Sequence, residues 1–228
     1  MEFDRLKLLV GDIDNIINKT ILIIGIGGVG GYALEALARS GVGNLIIIDN
    51  DKIDITNINR QIIALHSNIG KLKVDVAYDR IKDINPSCNI IKYPILLDEI
   101  NIYDILNKHK VDYIVDACDT LKVKKELIRF ASSKNIKLIS SMGTGNKLDP
   151  TKLEITDIRK TEYDPIARIL RKMVKDEKIK NKIIVVASKE QPIKTNTNII
   201  ASNSFVPSTA GLLIASYIIN DIVGGKNE

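Results

Sequence analysis

The sequence predicts an α/β protein with a Rossmann-like, doubly wound and mostly parallel sheet. Three observations predict it: β-branched apolar runs alternate with helix-periodic stretches, a glycine-rich turn follows the first run, and an acid closes the second. In the C-terminal part polar and apolar residues alternate, so we expect antiparallel strands to extend the sheet there. No stretch rich in Pro, Gly or Ser divides the chain, which predicts a single domain over residues 1–228.

The first elements follow one another regularly. The apolar runs that predict strands lie at 20–25, 44–49, 88–93, 111–116 and 137–141. The helix-periodic stretches between them lie at about 28–40, 70–84, 99–109 and 121–134. Because right-handed crossovers join parallel strands, the carboxyl ends of these strands should meet at one edge, where a ligand binds.

The pattern changes after a turn at 142–146. Residues 152–158 alternate in polarity, which predicts a half-exposed antiparallel strand. A basic helical segment follows, and then an apolar run at 183–187. The polar stretch 188–204 predicts a mobile loop, and the last helix is expected over about 208–223.

Residues 21–60 contain the most specific pattern in the chain. A strand enters the turn GIGGVG, a helix follows, and a second strand ends in Asp49. Glycine lets backbone N–H groups approach a phosphate at a helix N-terminus, and an acid about 20 residues on can bind ribose hydroxyls. The pattern therefore predicts a nucleotide-binding site. Its glycines are Gly25, Gly27, Gly28 and Gly30.

The net charge of +5 is concentrated in one segment. Residues 168–182 hold seven Lys or Arg and two acids, whereas the charges elsewhere cancel. Such a patch suits a polyanionic partner, because phosphate contacts dominate nucleic-acid affinity. A solvated helix face beside a loop would give the same pattern.

Several protein classes are disfavoured. The N-terminus lacks a continuous apolar segment and no run is expected to reach bilayer length, so neither a signal peptide nor a membrane partner is predicted. Cys88 and Cys118 are too few for a disulfide scaffold, and they are expected to pack as reduced thiols in the cytoplasm. Without a CxxC pair a closed zinc site is not expected. His66 and His109 lie in no motif.

Four motifs in order resemble the ATP-dependent adenylating fold of ubiquitin-activating, molybdopterin-pathway and thiamine-pathway enzymes. They are GIGGVG, IDNDKIDITNINRQ, GKLKVDVA and DACDT. Further segments are similar to one branch of this ThiF-type family, the tRNA threonylcarbamoyladenosine dehydratases: INPSC, SSMGTGNKLDPTKLEITDIRKT, DPIARILRKM, VVASKEQPI and SFVPSTAGLLIAS. The resemblance implies one ThiF-type ATP-binding adenylating domain over nearly the whole chain.

This resemblance implies an AMP-forming, ligase-type enzyme that acts on a tRNA nucleoside next to the anticodon. It would activate the carboxylate of the threonylcarbamoyl group with ATP and close it into a ring with loss of water, releasing AMP and pyrophosphate. The family uses Mg²⁺ and is homodimeric. The sequence does not decide whether a sulfur-mobilising protein assists.

The resemblance also implies the site residues. Arg60 and Lys73 match the family's phosphate-contacting cations and Asp119 its magnesium-linked acid, which makes these three the implied catalytic residues. Attack by an ionised carboxylate on phosphorus needs positive charge more than it needs a base. Asp49 matches the ribose contact and Gly28 a backbone phosphate contact. The other implied ATP-binding residues are Gly25, Gly27, Gly30, Asp51, Thr56, Asn57, Asn59, Gln61, Thr120 and, reaching the other subunit's ATP, Arg5.

Some of these assignments have structural alternatives. Asp119 would otherwise cap the helix near residue 121, although Thr120 is the better cap, and Asn57 would otherwise form only a turn. Asp116 would either share the metal or orient its neighbours. The turn 142–146 is a candidate for contact with the tRNA substituent, or a plain connection.

Other functions also stay open at this level. The same ATP site would serve an enzyme that activates the C-terminal carboxylate of a small sulfur-carrier protein, although the cysteines and zinc pairs often found in such enzymes are missing. A nicotinamide-dependent oxidoreductase would explain residues 25–49 but not Lys73 or Asp119. A non-catalytic binding module ranks last, because every charged position that the chemistry needs is occupied.

Overall fold

The computed structural model describes residues 2–197 and 199–224. Seven strands form one sheet: β1 (Thr20–Ile24), β2 (Asn44–Ile48), β3 (Asn89–Tyr93), β4 (Tyr113–Asp116), β5 (Lys137–Ser141), β6 (Leu153–Asp157) and β7 (Ile184–Ser188). Their order across the sheet is β3-β2-β1-β4-β5-β7-β6. Met1 and residues 225–228 of the predicted domain, and Asn198 of the predicted loop, lie outside the described residues.

Helices cover both faces of this sheet. They are α1 (Asp4–Val10), α2 (Asp14–Ile17), α3 (Gly30–Arg39), α4 (Lys73–Ile84), α5 (Ile102–Asn107), α6 (Leu121–Lys134), α7 (Pro165–Asp176) and α8 (Phe205–Ile222). Alternate residues of β1 point to opposite faces, as the two-residue period of a strand requires. Ile21 and Ile23 pack in a core with α3, α4 and α8, whereas Leu22 and Ile24 pack in a second core with α5, α6 and α7.

The predicted fold class is confirmed, with one refinement at its C-terminal edge. Only β6 runs antiparallel, paired with β7, whereas β7 itself is parallel to β5. Every residue of β7 is buried and four of its five residues are apolar, as is typical of a strand covered on both faces in a parallel sheet. The antiparallel edge strand β6 has the mixed polarity that the sequence shows.

One helix prediction needed correction. The last helix begins at Phe205, three residues before the predicted start, because Asn203 Oδ1 accepts hydrogen bonds from the backbone N–H groups of Phe205 and Val206. Pro207 fits there because the N–H of a first-turn residue needs no helical partner. The short helices α1 and α2 had no sequence signal, and the described part of 189–204 contains no helix or strand. Its mobility stays a prediction.

Helix α8 is long and apolar enough to cross a bilayer by length and composition, contrary to the expectation that no run reaches that length. Core helices meet the same criterion, and α8 packs against α3 and the sheet. Ala210, Ile214 and Ile218 are fully buried in that contact. A Cβ at Gly211 would lie 2.3 Å from the carbonyl oxygen of Val29, so only glycine permits this close approach.

The chain order places a switch point between β1 and β4. From β1 the chain crosses to β2 and then β3 on one side, and β4 and β5 lie on the other side. In open α/β sheets, ligands bind outside the carboxyl ends of the strands at such a point. The fold therefore predicts where the functional site lies.

Candidate nucleotide-binding site

A cavity of about 460 Å³ opens at the carboxyl ends of β1, β2 and β4. Its size is within the range of small-molecule sites. Eleven of the residues expected to bind ATP line it: Gly25, Gly27, Gly28, Asp49, Asp51, Asn57, Arg60, Gln61, Lys73, Asp119 and Thr120. Four others do not: Gly30, Thr56, Asn59 and Arg5.

The glycine-rich turn is shaped by two close backbone approaches. Gly25 has φ +85°, and a Cβ there would lie 2.7 Å from the carbonyl oxygen of Ala117. A Cβ at Gly30 would lie 1.8 Å from the carbonyl oxygen of Gly25. Gly30 thus closes the turn and begins α3 rather than facing the cavity. The turn lies next to the loop after β4.

Asp49 connects the glycine turn to the end of β2. Its Oδ2 accepts a hydrogen bond of 2.6 Å from the N–H of Ile26, and its Oδ1 accepts one of 2.8 Å from the N–H of Asp51. Burial raises the pKa of Asp49 above its usual value, although Lys73 and both hydrogen bonds oppose that shift. A carboxylate has about four acceptor positions, so this side chain retains capacity for ribose hydroxyls.

The loop after β2 positions Arg60 through its own hydrogen bonds. Asp54 Oδ1 accepts from the N–H and the hydroxyl of Thr56, while Asn57 Oδ1 accepts from the N–H of Asp54 at 3.2 Å. Arg60 donates to the carbonyl oxygen of Thr56 at 2.7 Å and to Asn59 Oδ1 at 3.0 Å. Asn57 therefore forms the turn and also lines the cavity, whereas Thr56 and Asn59 act by holding the loop.

Gln61 carries a buried polar atom without a partner. The residue is 7 % exposed, and its Oε1 accepts no hydrogen bond from the described residues. Buried polar atoms are normally satisfied, so an orphaned acceptor in a cavity wall indicates a donor that a ligand or water supplies. The position suits a nucleotide.

Lys73 begins α4 and presents its ammonium group to the cavity. The Nζ atom lies 2.7 Å from Asp51 Oδ2, and the Lys73 side chain is 7 % exposed against 57 % for Asp51. The backbone N–H of Lys73 also donates to the carbonyl oxygen of Asp51 at 2.9 Å. Asp51 therefore holds the lysine ammonium group at the cavity wall, close enough to Asp49 to interact with its carboxylate.

Asp119 is exposed at the opposite wall. Among the described residues its carboxylate accepts only a hydrogen bond of 3.4 Å from Thr120 Oγ1. Neither residue caps α6 through its side chain, although Thr120 occupies the N-cap position. Asp119 therefore does not cap α6. The prediction that Thr120 caps this helix is right for its position but wrong for its side chain, which makes no capping hydrogen bond.

Asp116 lies behind the cavity rather than in its lining. It is fully buried and accepts hydrogen bonds from Lys124 Nζ at 3.0 and 3.1 Å and from Ser140 Oγ at 2.5 Å. Lys124 is 1 % exposed and also donates to the carbonyl oxygen of Ser141 at 2.8 Å. Two roles were expected for Asp116, metal binding or orientation of its neighbours. Its position behind the cavity fits the second role.

Part of the cavity lining was not predicted from the sequence, because these residues had little sequence signal of their own. An apolar wall follows β3, and a small polar residue comes from the segment before α8. The missed residues are Ile24, Ile48, Asn50, Ile95, Leu96, Leu97, Val123, Ser202 and Pro207. Thr144 lies within 142–146, the turn expected to contact substrate, so that turn does reach the cavity.

Neither thiol is set up as a nucleophile. Burial raises the pKa of Cys88 to about 11. Burial and the Asp116 carboxylate raise the pKa of Cys118 well above its usual value, although Lys124 opposes this. Since the thiolate is the reactive form, the cavity does not support thiol catalysis. His66 and His109 do not line it.

Comparisons with known proteins show which family the chain resembles. A family model described as ThiF family matches residues 7–224. The chain is 39% identical over 241 residues to a tRNA threonylcarbamoyladenosine dehydratase of Bacillus subtilis (strain 168), which covers 97% of this chain and 94% of that protein. It is 39% identical over 157 residues to the protein of the same description from Escherichia coli (strain K12), covering 69% of this chain and 58% of that protein.

The fold agrees as well. The crystal structure of E. coli tRNA N6-threonylcarbamoyladenosine dehydratase, TcdA, in complex with ATP superimposes with a TM-score of 0.91 at 31% identity, covering 98% of this chain and 94% of that one. The structure of TcdA in complex with AMP superimposes with a TM-score of 0.92 over the same shares.

We predict that Lys124→Met destabilises the fold, because it leaves the fully buried Asp116 carboxylate without its cation. Breaking such a pair from one side costs about 3–5 kcal/mol of unfolding free energy. The matched control is Lys125→Met, which changes a partly exposed neighbour that forms no salt bridge with the described residues. Chemical denaturation would measure both, and equal losses would contradict a structural role for the pair. The double variant Asp116→Leu/Lys124→Met should recover most of the loss.

Proposed function

The chain belongs to the ThiF family, and we propose that it is an ATP-dependent tRNA threonylcarbamoyladenosine dehydratase. One observation carries the proposal: the glycine-rich turn, Arg60, Lys73 and Asp119 converge on a single cavity. Similarity to dehydratases over almost the whole chain, including TcdA with ATP bound, supports the choice of reaction.

The first step is adenylation. A carboxylate oxygen of the threonylcarbamoyl group attacks the α-phosphorus of ATP, the bond to the β-phosphoryl oxygen breaks, and pyrophosphate leaves. Negative charge gathers on phosphate oxygens, where Arg60 and Lys73 stabilise it. Both cations are already held in place, by the Thr56 carbonyl and by Asp51, so little reorganisation is needed. No general base is required, since the carboxylate is ionised at neutral pH.

The second step is ring closure. A nitrogen of the ureido group attacks the acyl carbon, the carbon–oxygen bond to the adenylate breaks, and AMP leaves while the nitrogen loses a proton. The nucleophile and the acyl group belong to one substituent, and such reactions reach effective molarities on the order of 10⁵ M or more. The protein has to hold the substituent bent and exclude water. Thr144 and Ser202, at the cavity wall, are placed to contact it.

We also propose that the enzyme uses Mg²⁺ and that Asp119 helps to hold it. The described residues contain no cluster of three or more His, Cys, Asp or Glu that could hold a metal ion alone. Magnesium is usually held by one or two carboxylates plus substrate phosphates, and a lightly bonded carboxylate at the cavity wall fits that pattern. When bound, the ion neutralises charge on the phosphates.

We also propose a homodimer. Leu8 and Leu9 of α1 are 87 % and 84 % exposed, and Leu9 lines a groove of about 610 Å³ together with Leu212 of α8. Exposed apolar clusters of this kind mark interfaces. Arg5, exposed on α1 outside its own chain's cavity, would then act only in the partner's site. Sedimentation equilibrium tests this proposal, since a mass near the 25.3 kDa of one chain would contradict it.

The proposed place of action is the cytoplasm. Cys88 and Cys118 are free thiols, as expected in a reducing compartment. A sulfur-mobilising partner, which the resemblance leaves undecided, has no step in this reaction.

The proposed reaction predicts its own products. Protein, ATP, Mg²⁺ and tRNA that carries threonylcarbamoyladenosine should give a nucleoside lighter by one water, with AMP and pyrophosphate. When both oxygens of the substrate carboxylate are ¹⁸O, AMP should gain one labelled oxygen, because the attacking oxygen stays on phosphorus. Mass spectrometry measures both products. Unlabelled AMP, or adenylation of a sulfur-carrier protein instead of tRNA, would contradict the proposal.

Removing either cavity cation should lower the rate of AMP formation while leaving the fold intact. For Arg60→Ala or Lys73→Ala we expect a loss of about 10²–10³-fold in kcat, the usual effect of deleting one transition-state donor. Lys71→Ala is the matched control, since Lys71 is exposed and bonds only to Asn68 through its side chain among the described residues. Normal turnover by either cavity variant would remove that residue from the mechanism.

Asp119→Asn should raise the Mg²⁺ concentration needed for half-maximal AMP formation by about tenfold or more, because one of few carboxylate ligands is lost. Its melting temperature should stay close to that of the unmodified protein, since exposed substitutions usually change stability by no more than about 0.5 kcal/mol. Asp79→Asn, at an exposed acid outside the cavity, is the control. An unchanged Mg²⁺ requirement would show that Asp119 does not bind the metal.

A further inference from the structure

We infer that the backbone N–H of Thr144 stabilises an oxyanion during ring closure and that Lys147 positions this N–H group; the inference rests on the proposed function. Both residues lie in the turn 143–147, which follows β5 and reaches the cavity through Thr144. The adenylation step uses neither residue.

Lys147 is a buried cation that binds the backbone of this turn. Its ammonium group donates a hydrogen bond of 2.7 Å to the carbonyl oxygen of Gly143. Burial lowers the pKa of Lys147, although the carboxylates of Asp164 and Glu190 oppose that shift. Among the described residues the Nζ atom makes no other hydrogen bond and no salt bridge. Removing an ammonium group from water is costly, and here its one hydrogen bond holds a backbone carbonyl beside the cavity.

This hydrogen bond fixes the direction of the Thr144 N–H group. The Gly143 carbonyl and the Thr144 N–H belong to one planar trans peptide unit, in which the two groups point in opposite directions. Because the carbonyl points at the buried ammonium group, the N–H points away from it. The N–H makes no hydrogen bond with any residue in 2–197 or 199–224. It is therefore a fixed and available donor on a residue that lines the cavity.

The preceding peptide unit is held as well. The N–H of Gly143 donates a hydrogen bond of 2.8 Å to Asp164 Oδ2. Asp164 is buried, and its Oδ1 accepts a hydrogen bond of 2.8 Å from the N–H of Ala167 in α7. A Cβ at Gly143 would lie 3.0 Å from Asp164 Oδ2, so the turn packs closely against this carboxylate. Both peptide units around Gly143 are thus held before substrate binds.

The turn is also bound to the segment before α8. Asn146 and Ala201 exchange two hydrogen bonds of 2.8 Å, one from each backbone N–H. The next residue, Ser202, lines the cavity together with Thr144. These two segments contribute only neutral residues to the lining, which suits the acyl and ureido groups better than the triphosphate.

Ring closure needs a donor of this kind. When the ureido nitrogen bonds to the acyl carbon, the carbonyl π electrons move to its oxygen, which becomes an oxyanion. The carbonyl then re-forms, the carbon–oxygen bond to the adenylate breaks, and the proton of the nitrogen passes to the departing phosphate group of AMP. A preorganised N–H directed at the oxyanion lowers this barrier. Adenylation places charge on phosphate oxygens instead, so its rate should not depend on Thr144.

The test separates the two steps in a single turnover. Lys147→Met removes the ammonium group and keeps an unbranched chain, whereas Lys147→Arg retains a cationic donor. Lys152→Met is the matched control, because Lys152 is exposed, lies outside the cavity lining and forms no salt bridge with the described residues. Rapid quenching with labelled ATP measures pyrophosphate, and mass spectrometry measures the cyclic nucleoside.

Lys147→Met should release pyrophosphate within about twofold of the unmodified rate but form the cyclic nucleoside about tenfold or more slowly, because the Thr144 N–H is no longer held. The persisting acyl-adenylate then reacts with water. More than one pyrophosphate is therefore released per product, and ¹⁸O from labelled water enters the threonylcarbamoyl carboxylate. Lys147→Arg should recover part of the ring closure, and Lys152→Met should match the unmodified protein. Equal losses of pyrophosphate and product in Lys147→Met would overturn the inference.

A second change tests the N–H itself and does not depend on the folding of Lys147→Met. Incorporation of the α-hydroxy acid analogue of threonine at position 144 replaces the N–H by an ester oxygen and keeps the side chain. Ring closure should slow by about 10²–10³-fold, the usual effect of removing one oxyanion donor, while pyrophosphate release continues. Unchanged ring closure in this ester variant would also overturn the inference.

Failure of the proposed function gives a different result. An unmodified protein that forms neither pyrophosphate nor cyclic nucleoside with tRNA contradicts the dehydratase activity, and the inference with it. An unmodified protein that forms both, with the same ratio of product to pyrophosphate in Lys147→Met and in the ester variant, contradicts only the inference.

Discussion

Three backbone segments meet at the switch point between β1 and β4, where there is no room for a side chain. A Cβ at Gly25 would lie 2.7 Å from the Ala117 carbonyl oxygen, and one at Gly30 would lie 1.8 Å from the Gly25 carbonyl oxygen. This contact brings the glycine turn, which offers N–H groups to phosphate, against the loop that carries Asp119. Gly25 and Ala117 both line the cavity, so this contact forms part of its wall.

Positive charge at this site is held in place both in the cavity wall and behind it. In the cavity wall, Asp51 and the Thr56 carbonyl fix Lys73 and Arg60 before substrate binds. Behind the wall, the buried pair of Lys124 and Asp116 joins the ends of β4 and β5, from which the Asp119 loop and the Thr144 turn leave the sheet. Preorganised charge of this kind lowers a barrier without reorganisation during the reaction, which is what phosphoryl chemistry needs.

The cavity combines an apolar wall with a few fixed polar groups, as suits a nucleotide. Asp164 joins the cavity wall to α7. Its side chain caps that helix and also accepts a hydrogen bond from the N–H of Gly143, next to Thr144 in the wall.

The sequence by itself determined the doubly wound fold and the nucleotide turn, because both follow from local periodicity and spacing, and its resemblance to a known family implied the cations Arg60 and Lys73. Alternating apolar runs, glycines at fixed offsets and Asp49 at the end of a strand can each be recognised from a short stretch of sequence. Only the tertiary structure decided that Lys124 is buried, that Asp116 lies behind the cavity, and that β7 joins the sheet in parallel. Each of these depends on segments far apart in sequence. A lysine on a helix looks solvent-exposed until the packing of two strands places a carboxylate and a carbonyl oxygen within 3.1 Å of its ammonium group.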